Sequence, residues 1–272
     1  MAKVFVIDVA RCNGCYACQI GCKDEHVGND WMPYTRPQPN TGQFWGKLHE
    51  TVRGNTPHVK VSYVFVPCQH CDDAPCISAC PVEAISRRAD GLVVIDPKKC
   101  TGCQNCLHTD ACPYSVIFWN EDLNIVQKCT GCAHLLDRGW PITEPRCVDN
   151  CPRVCVRFGE ESEFSSEIAQ AETLHPEYGL SPRVHYLNLP KKFIAGTVYT
   201  PSDNEVAIGA SCTLTGEGDT FTATTDSWGD FWFNGLKDNG TYSLTIEAAG
   251  KTKTISGIST EKDVGLVDIA LT

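Results

Sequence analysis

The sequence predicts an α+β domain followed by an all-β domain, and three observations carry that prediction. Sixteen of the eighteen cysteines lie in four runs that all end before residue 153. Short β-rich segments with turn signals separate those runs. From Phe193 onward, apolar residues alternate between Gly, Asn and Asp turns, and no paired cysteines occur. A length of 272 residues leaves room for two domains of ordinary size.

Eighteen cysteines need a chemical explanation before anything else. Disulfides predict a secreted chain, but the N-terminal stretch MAKVFVIDVARCNGCYAC reads without an apolar h-region or a small-residue cleavage site. Zinc sites usually present Cys-x2-Cys twice, whereas the unit here is repeatedly three or four cysteines in one run, more than a tetrahedral site takes from one turn. Iron–sulfur ligation fits instead. Three cysteines at intervals of two residues serve one cluster, and a fourth, further on, serves the neighbouring one. The formal charge of −10 argues against a nucleic-acid partner, which wants a basic stripe. No stretch reaches the roughly 18 apolar residues of a membrane span. The expectation is a cytoplasmic redox protein, with co-export alongside a partner left open.

Taken in order, KVFVID (3–8) is an apolar strand leading into Cys12, Cys15, Cys18 and Cys22. Lys23 stands where a proline is usual, so the helix carrying Cys18 and Cys22 is expected to continue past it. Gly14 suits a turn whose N–H groups point at sulfur. Residues 28–57 hold four prolines and no sustained period. Two readings stand for this segment and its aromatics Trp31, Tyr34, Phe44 and Trp45: a loop packed on its own domain, or a docking surface for a larger subunit. VKVSYVFVP (59–67) is a strand entering Cys68, Cys71, Cys76 and Cys80. A hairpin signal at Asp90-Gly91 precedes Cys100, Cys103, Cys106 and Cys112. A second hairpin, turning near Asn120–Asp122, precedes Cys129, Cys132, Cys147 and Cys151. The strand VCVRF (154–158) is expected to pair with the first.

Run, hairpin, run, hairpin is an internal repeat, with the first and fourth runs nested outside the second and third. The spacing assigns Cys12, Cys15, Cys18 and Cys151 to one cluster, and Cys22, Cys129, Cys132 and Cys147 to a second. A third takes Cys68, Cys71, Cys76 and Cys112; a fourth takes Cys80, Cys100, Cys103 and Cys106. Five residues separate Cys106 from Cys112 where three are usual, so four clusters are expected and three are the minimum. No catalytic acid, base or nucleophile is assigned. His70 reads as packing beside a cluster and donating a hydrogen bond. Cys155 and Cys212 read as small buried hydrophobes. Asp219, Asp226 and Asp230 read as turn residues rather than calcium ligands.

The motifs C-Q-H-C-D-D-A-P-C-x3-C-P and C-T-G-C-x2-C…C-P-Y resemble those of the iron–sulfur β subunits of DMSO-reductase-type molybdenum enzymes. So does the arm S-P-R-V-H-Y-L-N-L-P, and the resemblance covers about residues 1–190. The tail, with G-A-S-C-T-L-T-G and T-T-D-S-W-G-D-F-W-F-N-G-L, resembles carboxypeptidase-regulatory or collagen-binding B-type β domains. The resemblance implies a duplicated bacterial-ferredoxin-like [4Fe-4S] domain over 1–158, with 28–57 as a docking insertion. A connector arm over 159–192 and a β-sandwich or barrel of about seven strands over 193–272 follow. It also implies an electron-transfer subunit of a heterodimer, whose large partner holds the active site and a molybdenum-bis(pterin guanine dinucleotide). A β subunit with such a tail is most similar to the transhydroxylase branch, which moves a hydroxyl between trihydroxybenzenes. The alternatives are the β subunit of a respiratory DMSO-, nitrite- or polysulfide-type reductase and, in another class, a zinc-stapled structural protein.

Overall fold

A computed structural model describes residues 2–139 and 144–272. The chain folds as two compact units, residues 1–50 with 63–189, and residues 51–62 with 190–272. Up to residue 189 the elements are β1 (Lys3–Asp8), α1 (Ala17–His26), β2 (Lys47–Asn55), β3 (His58–Val66), α2 (Pro75–Ser78), β4 (Ile85–Arg87), β5 (Val93–Ile95), β6 (Ile117–Asn120), β7 (Ile125–Lys128), α3 (Ala133–Arg138), α4 (Arg146–Asp149), β8 (Val156–Glu160), α5 (Ser165–Ile168) and β9 (Val184–Leu187).

In the first unit β1 is the central strand of a three-stranded sheet, antiparallel to β8 and parallel to β9. That position explains its unbroken run of buried Val4, Phe5, Val6 and Ile7. The pairing of residues 154–158 with the first strand is therefore as expected, and part of the 159–192 arm joins the same sheet. The hairpins β4–β5 and β6–β7 follow the second and third cysteine runs. Among the described residues, the two interior clusters of apolar side chains in this unit are built around the cysteines. One gathers Cys22, Cys68, Cys76, Cys106, Cys112 and Cys129 with the hairpins. The other gathers Cys18, Cys147 and Cys151 with Phe5, Ile7 and Tyr186.

Two local expectations for 28–57 are refined. Residues 47–55 are a strand, not part of an irregular loop; β2 pairs with β3. The aromatic residues of 28–46 pack within their own unit. Trp45 is buried, and Trp31 donates its indole N–H to the Glu25 carbonyl at 2.8 Å. Trp31 also stacks on His134 at 4.6 Å. Tyr34 donates to Asp137 and lies under the Arg88 guanidinium.

The second unit adds β10 (Lys192–Thr200), β11 (Glu205–Val206), β12 (Ser211–Gly216), β13 (Asp219–Thr224), β14 (Asp230–Leu236), β15 (Thr241–Ala248), β16 (Lys251–Ser259) and β17 (Val264–Ala270). One four-stranded sheet holds β10, β11, β14 and β17; the other runs β13-β12-β15-β16. Ile194, Val198, Phe231 and Phe233 of the first share a core with Cys212, Leu214, Leu244 and Ile246 of the second. Eight strands stand where about seven were expected. β11 spans two exposed residues and gives no alternation to read. Asp226 is a turn residue, accepting N–H groups from Trp228 and Asp230.

Residues 51–62, the hairpin tip, belong to this second unit through Asn55, His58, Lys60 and Arg53. The Arg53 guanidinium donates to both carboxylate oxygens of Asp263 at 2.8 and 2.7 Å, and Asp263 also accepts the Phe193 N–H. The two side chains are only 13% and 9% exposed. Arg53→Met should therefore strand a largely buried carboxylate and lower the stability of this unit by about 3 kcal/mol in denaturant unfolding.

Candidate metal centres

Each cysteine run is shaped by a left-handed residue before its second cysteine. These are Gly14 (φ 72°), His70 (φ 46°), Gly102 (φ 73°) and Gly131 (φ 62°). A Cβ at Gly102 would lie 2.6 Å from the Asn124 carbonyl oxygen, so that turn accepts only glycine. The tight turns aim backbone N–H groups at sulfur: His70 to Cys68 Sγ at 3.5 Å and Gly131 to Cys129 Sγ at 3.4 Å. Ala84 donates to Cys80 Sγ and Cys155 to Cys151 Sγ, both at 3.3 Å. Each of the four sets expected from spacing thus has at least one sulfur with a backbone donor.

The structure brings the cysteines together in those sets. Cys68, Cys71, Cys76 and Cys112 line one cavity, and Cys80, Cys100, Cys103 and Cys106 line another. Burial, then Cys12, Cys151 and Cys15, push the Cys18 thiol up to about 12. Burial, then Cys132, Cys22 and Cys129, hold Cys147 well above the ordinary value. Cys18 and Cys22 sit one turn apart on α1, and Cys147 and Cys151 are likewise four residues apart at α4. The helices approach closely at Gly21, where a Cβ would lie 1.8 Å from Asn150 Nδ2. α1 continues past Cys22 to His26, as the missing proline suggested. Lys23 donates to the Pro39 and Gln43 carbonyls and so ties down the segment that follows.

The five-residue gap before Cys112 is absorbed locally. His108, Thr109 and Asp110 are exposed, and a turn in which Ala111 and Cys112 both donate to the His108 carbonyl returns Cys112 to the interior. None of the eighteen cysteines forms a disulfide. Among the described residues, no group of three or more His, Cys, Asp or Glu closes to the spacing of a single ion. Four thiols around a cavity, with N–H donors and no carboxylate, fit a cubane better than a lone ion.

Two histidines flank the Cys22/Cys129/Cys132/Cys147 set. His70 Nδ1 accepts the Val93 N–H at 3.0 Å, which leaves the proton on Nε2, 3.9 Å from Cys129 Sγ. Burial holds the imidazole neutral, with a pKa well below its ordinary value. His70 thus packs beside a candidate site as expected. It reaches the neighbouring set rather than its own. His26 Nε2 lies 3.8 Å from Cys132 Sγ, and burial lowers its pKa to about 3. Beyond it, Glu25 joins His134 at 2.9 Å and Arg146 at 2.6 Å. Burial opposes ionisation of Glu25, but Arg146 and His134 hold its pKa below the ordinary value.

Cys155 is more than a small hydrophobe, because its Sγ lies 3.2 Å from Cys151 Sγ. Burial and the contact with Cys151 raise its own pKa. Its place four residues after Cys151 was the available signal. Cys212 is buried among β-strand side chains, as expected. His26 was missed because one histidine on a helix gives no partner spacing.

Residues 59–161 match the 4Fe-4S dicluster domain family, and residues 194–272 match the carboxypeptidase regulatory-like domain family. The chain is 38% identical over 275 residues to the pyrogallol hydroxytransferase small subunit of Pelobacter acidigallici, covering 98% of each. It belongs to that family. It is also 34% identical over 199 residues to a subunit of the tetrathionate reductase of Salmonella typhimurium, covering 70% of this chain and 73% of that one. Identity to the arsenate respiratory reductase iron–sulfur subunit of Shewanella sp. is 30% over 236 residues, covering 67% and 94%. The chain is an iron–sulfur, electron-transfer subunit related to those of molybdenum oxidoreductases.

Thiol burial sets a pH dependence. Cys18, Cys71, Cys106 and Cys132 are pushed up to about 12, and Cys76 and Cys129 to about 11, from an ordinary value of 9.0. A raised pKa means that the folded chain holds these protons more tightly than the unfolded one. That contribution is present below pH 9 and lost as pH rises towards 12. Metal-free protein should melt at progressively lower temperature over that range. Loaded protein, whose thiols are already ionised, should not.

Proposed function

We propose that the four thiol sets hold four [4Fe-4S] clusters and form a relay inside a two-subunit molybdenum enzyme. Cys12, Cys15, Cys18 and Cys151 would bind the first. The second would take Cys22, Cys129, Cys132 and Cys147, the third Cys68, Cys71, Cys76 and Cys112, and the fourth Cys80, Cys100, Cys103 and Cys106. Such a cluster, when bound, accepts and returns one electron. The residues around it supply thiolates, exclude water and aim N–H donors at sulfur, the means by which a protein sets a potential.

The order of the sets supports a relay. Cys22 neighbours Cys18, Cys129 neighbours Cys68, and Cys106 neighbours Cys76. Cys15 of the first set and Cys103 of the fourth are exposed, so both ends of the series reach the surface. The catalytic site, with its molybdenum-bis(pterin guanine dinucleotide), belongs on this reading to a large partner subunit. The outer face of 28–46 would contribute to its docking surface. The complex is cytoplasmic on the same reading. Among the described residues no helix is long and apolar enough to cross a membrane.

The reaction is the conversion of pyrogallol to phloroglucinol, hydroxyl transfer between trihydroxybenzenes. One observation carries it: the pyrogallol hydroxytransferase small subunit aligns over 98% of this chain, both domains included, whereas the reductase subunits align over 70% or less. Anaerobic purification of the chain from its own cells should bring down a large molybdenum-containing subunit, and the complex should convert pyrogallol. A complex that reduces tetrathionate or arsenate and leaves pyrogallol untouched would favour the reductase reading.

A further inference from the structure

Lys128 is a buried cation placed between the second and third thiol sets. It closes β7 one residue before Cys129, is 2% exposed, and lines the cavity of Cys68, Cys71, Cys76 and Cys112. Its ammonium donates to the Val93 carbonyl and, at 3.0 Å, to that of Cys129. No carboxylate pairs with it among the described residues. The groups that face it are the sulfurs of Cys68, Cys76 and Cys129, which carry negative charge as thiolate ligands. Burying an ammonium costs several kcal/mol unless an anion compensates it. His70 mirrors the arrangement, lying in the second run and directing its Nε2–H at Cys129. The two middle sets are therefore interlocked by one side chain from each side.

We infer that Lys128 is a positioning residue that raises the reduction potential of the cluster held by Cys68, Cys71, Cys76 and Cys112 above that of its neighbours. The inference rests on the ligand sets proposed above. Four thiolates around a 2+ core leave a net anion, and an added electron makes it more so. A fixed positive charge at the cavity wall favours the reduced form. The electron would then rest at an interior site of the series, away from the exposed Cys15 and Cys103 ends.

The test is potentiometric EPR titration of the anaerobically isolated holoprotein as wild type, Lys128→Gln and Lys128→Arg. Gln keeps N–H donors for the two carbonyls and removes the charge. It should lower one midpoint, giving at least a tenfold smaller reduced-to-oxidised ratio at fixed potential, or about 59 mV for a one-electron couple. The signal concerned should be the one that Cys112→Ala removes. Arg should stay near the wild type. If Gln loses that cluster and Arg keeps it, the charge serves cluster assembly rather than potential, and the inference is overturned. Unchanged midpoints in Gln, or loss of the cluster in both variants, would overturn it and leave Lys128 a structural hydrogen-bond donor. Absence of the Cys112-dependent signal from the wild type would instead overturn the ligand assignment itself.

Discussion

Ten of the sixteen thiols are buried where a domain of this size would ordinarily place leucine and isoleucine, and their mutual repulsion on ionising governs what surrounds them. A buried thiolate among other thiolates is unfavourable, which is why burial holds Cys22 and Cys147 far above the ordinary thiol range. An inorganic core of opposite charge removes that penalty and supplies the bulk that side chains otherwise provide. The short elements of the first unit fit this account. α2 and α4 are single turns of four residues, and β4 and β5 are three residues long. None is long enough to bury an apolar stripe by itself. Their role is to carry cysteines to fixed points.

The backbone shows the same priority. Three of the four cysteine turns use glycine at the left-handed position, whereas the second uses His70 at φ 46°. A left-handed side chain is unfavourable by roughly 1–2 kcal/mol. That strain coincides with an imidazole directed at the sulfur of another set, so local conformation has yielded to the surroundings of a candidate metal centre.

Much of this was legible in the residues because cysteine spacing is a geometric statement. Four runs with their intervening hairpins specify which sulfurs can meet, and the nested order follows from the repeat. The bulge before Cys112 was visible as a departure, but its outcome depended on an exposed turn at His108–Ala111 that spacing cannot reveal. Lys128 and His26 were invisible for a related reason. Each acts across the fold, on sulfurs distant in sequence, and neither forms a local pattern. The strand at 47–55 was hidden by the prolines and glycines of the preceding stretch and by a mostly exposed face, burial there being confined largely to Leu48. In the C-terminal unit, alternation identified the long strands and overlooked the two-residue β11.

Counting iron and acid-labile sulfide per chain in anaerobically purified protein tests the central claim most directly. Four sites of four irons predict about sixteen of each per chain. Zinc in place of iron, or twelve or fewer irons with every cysteine set intact, would contradict it.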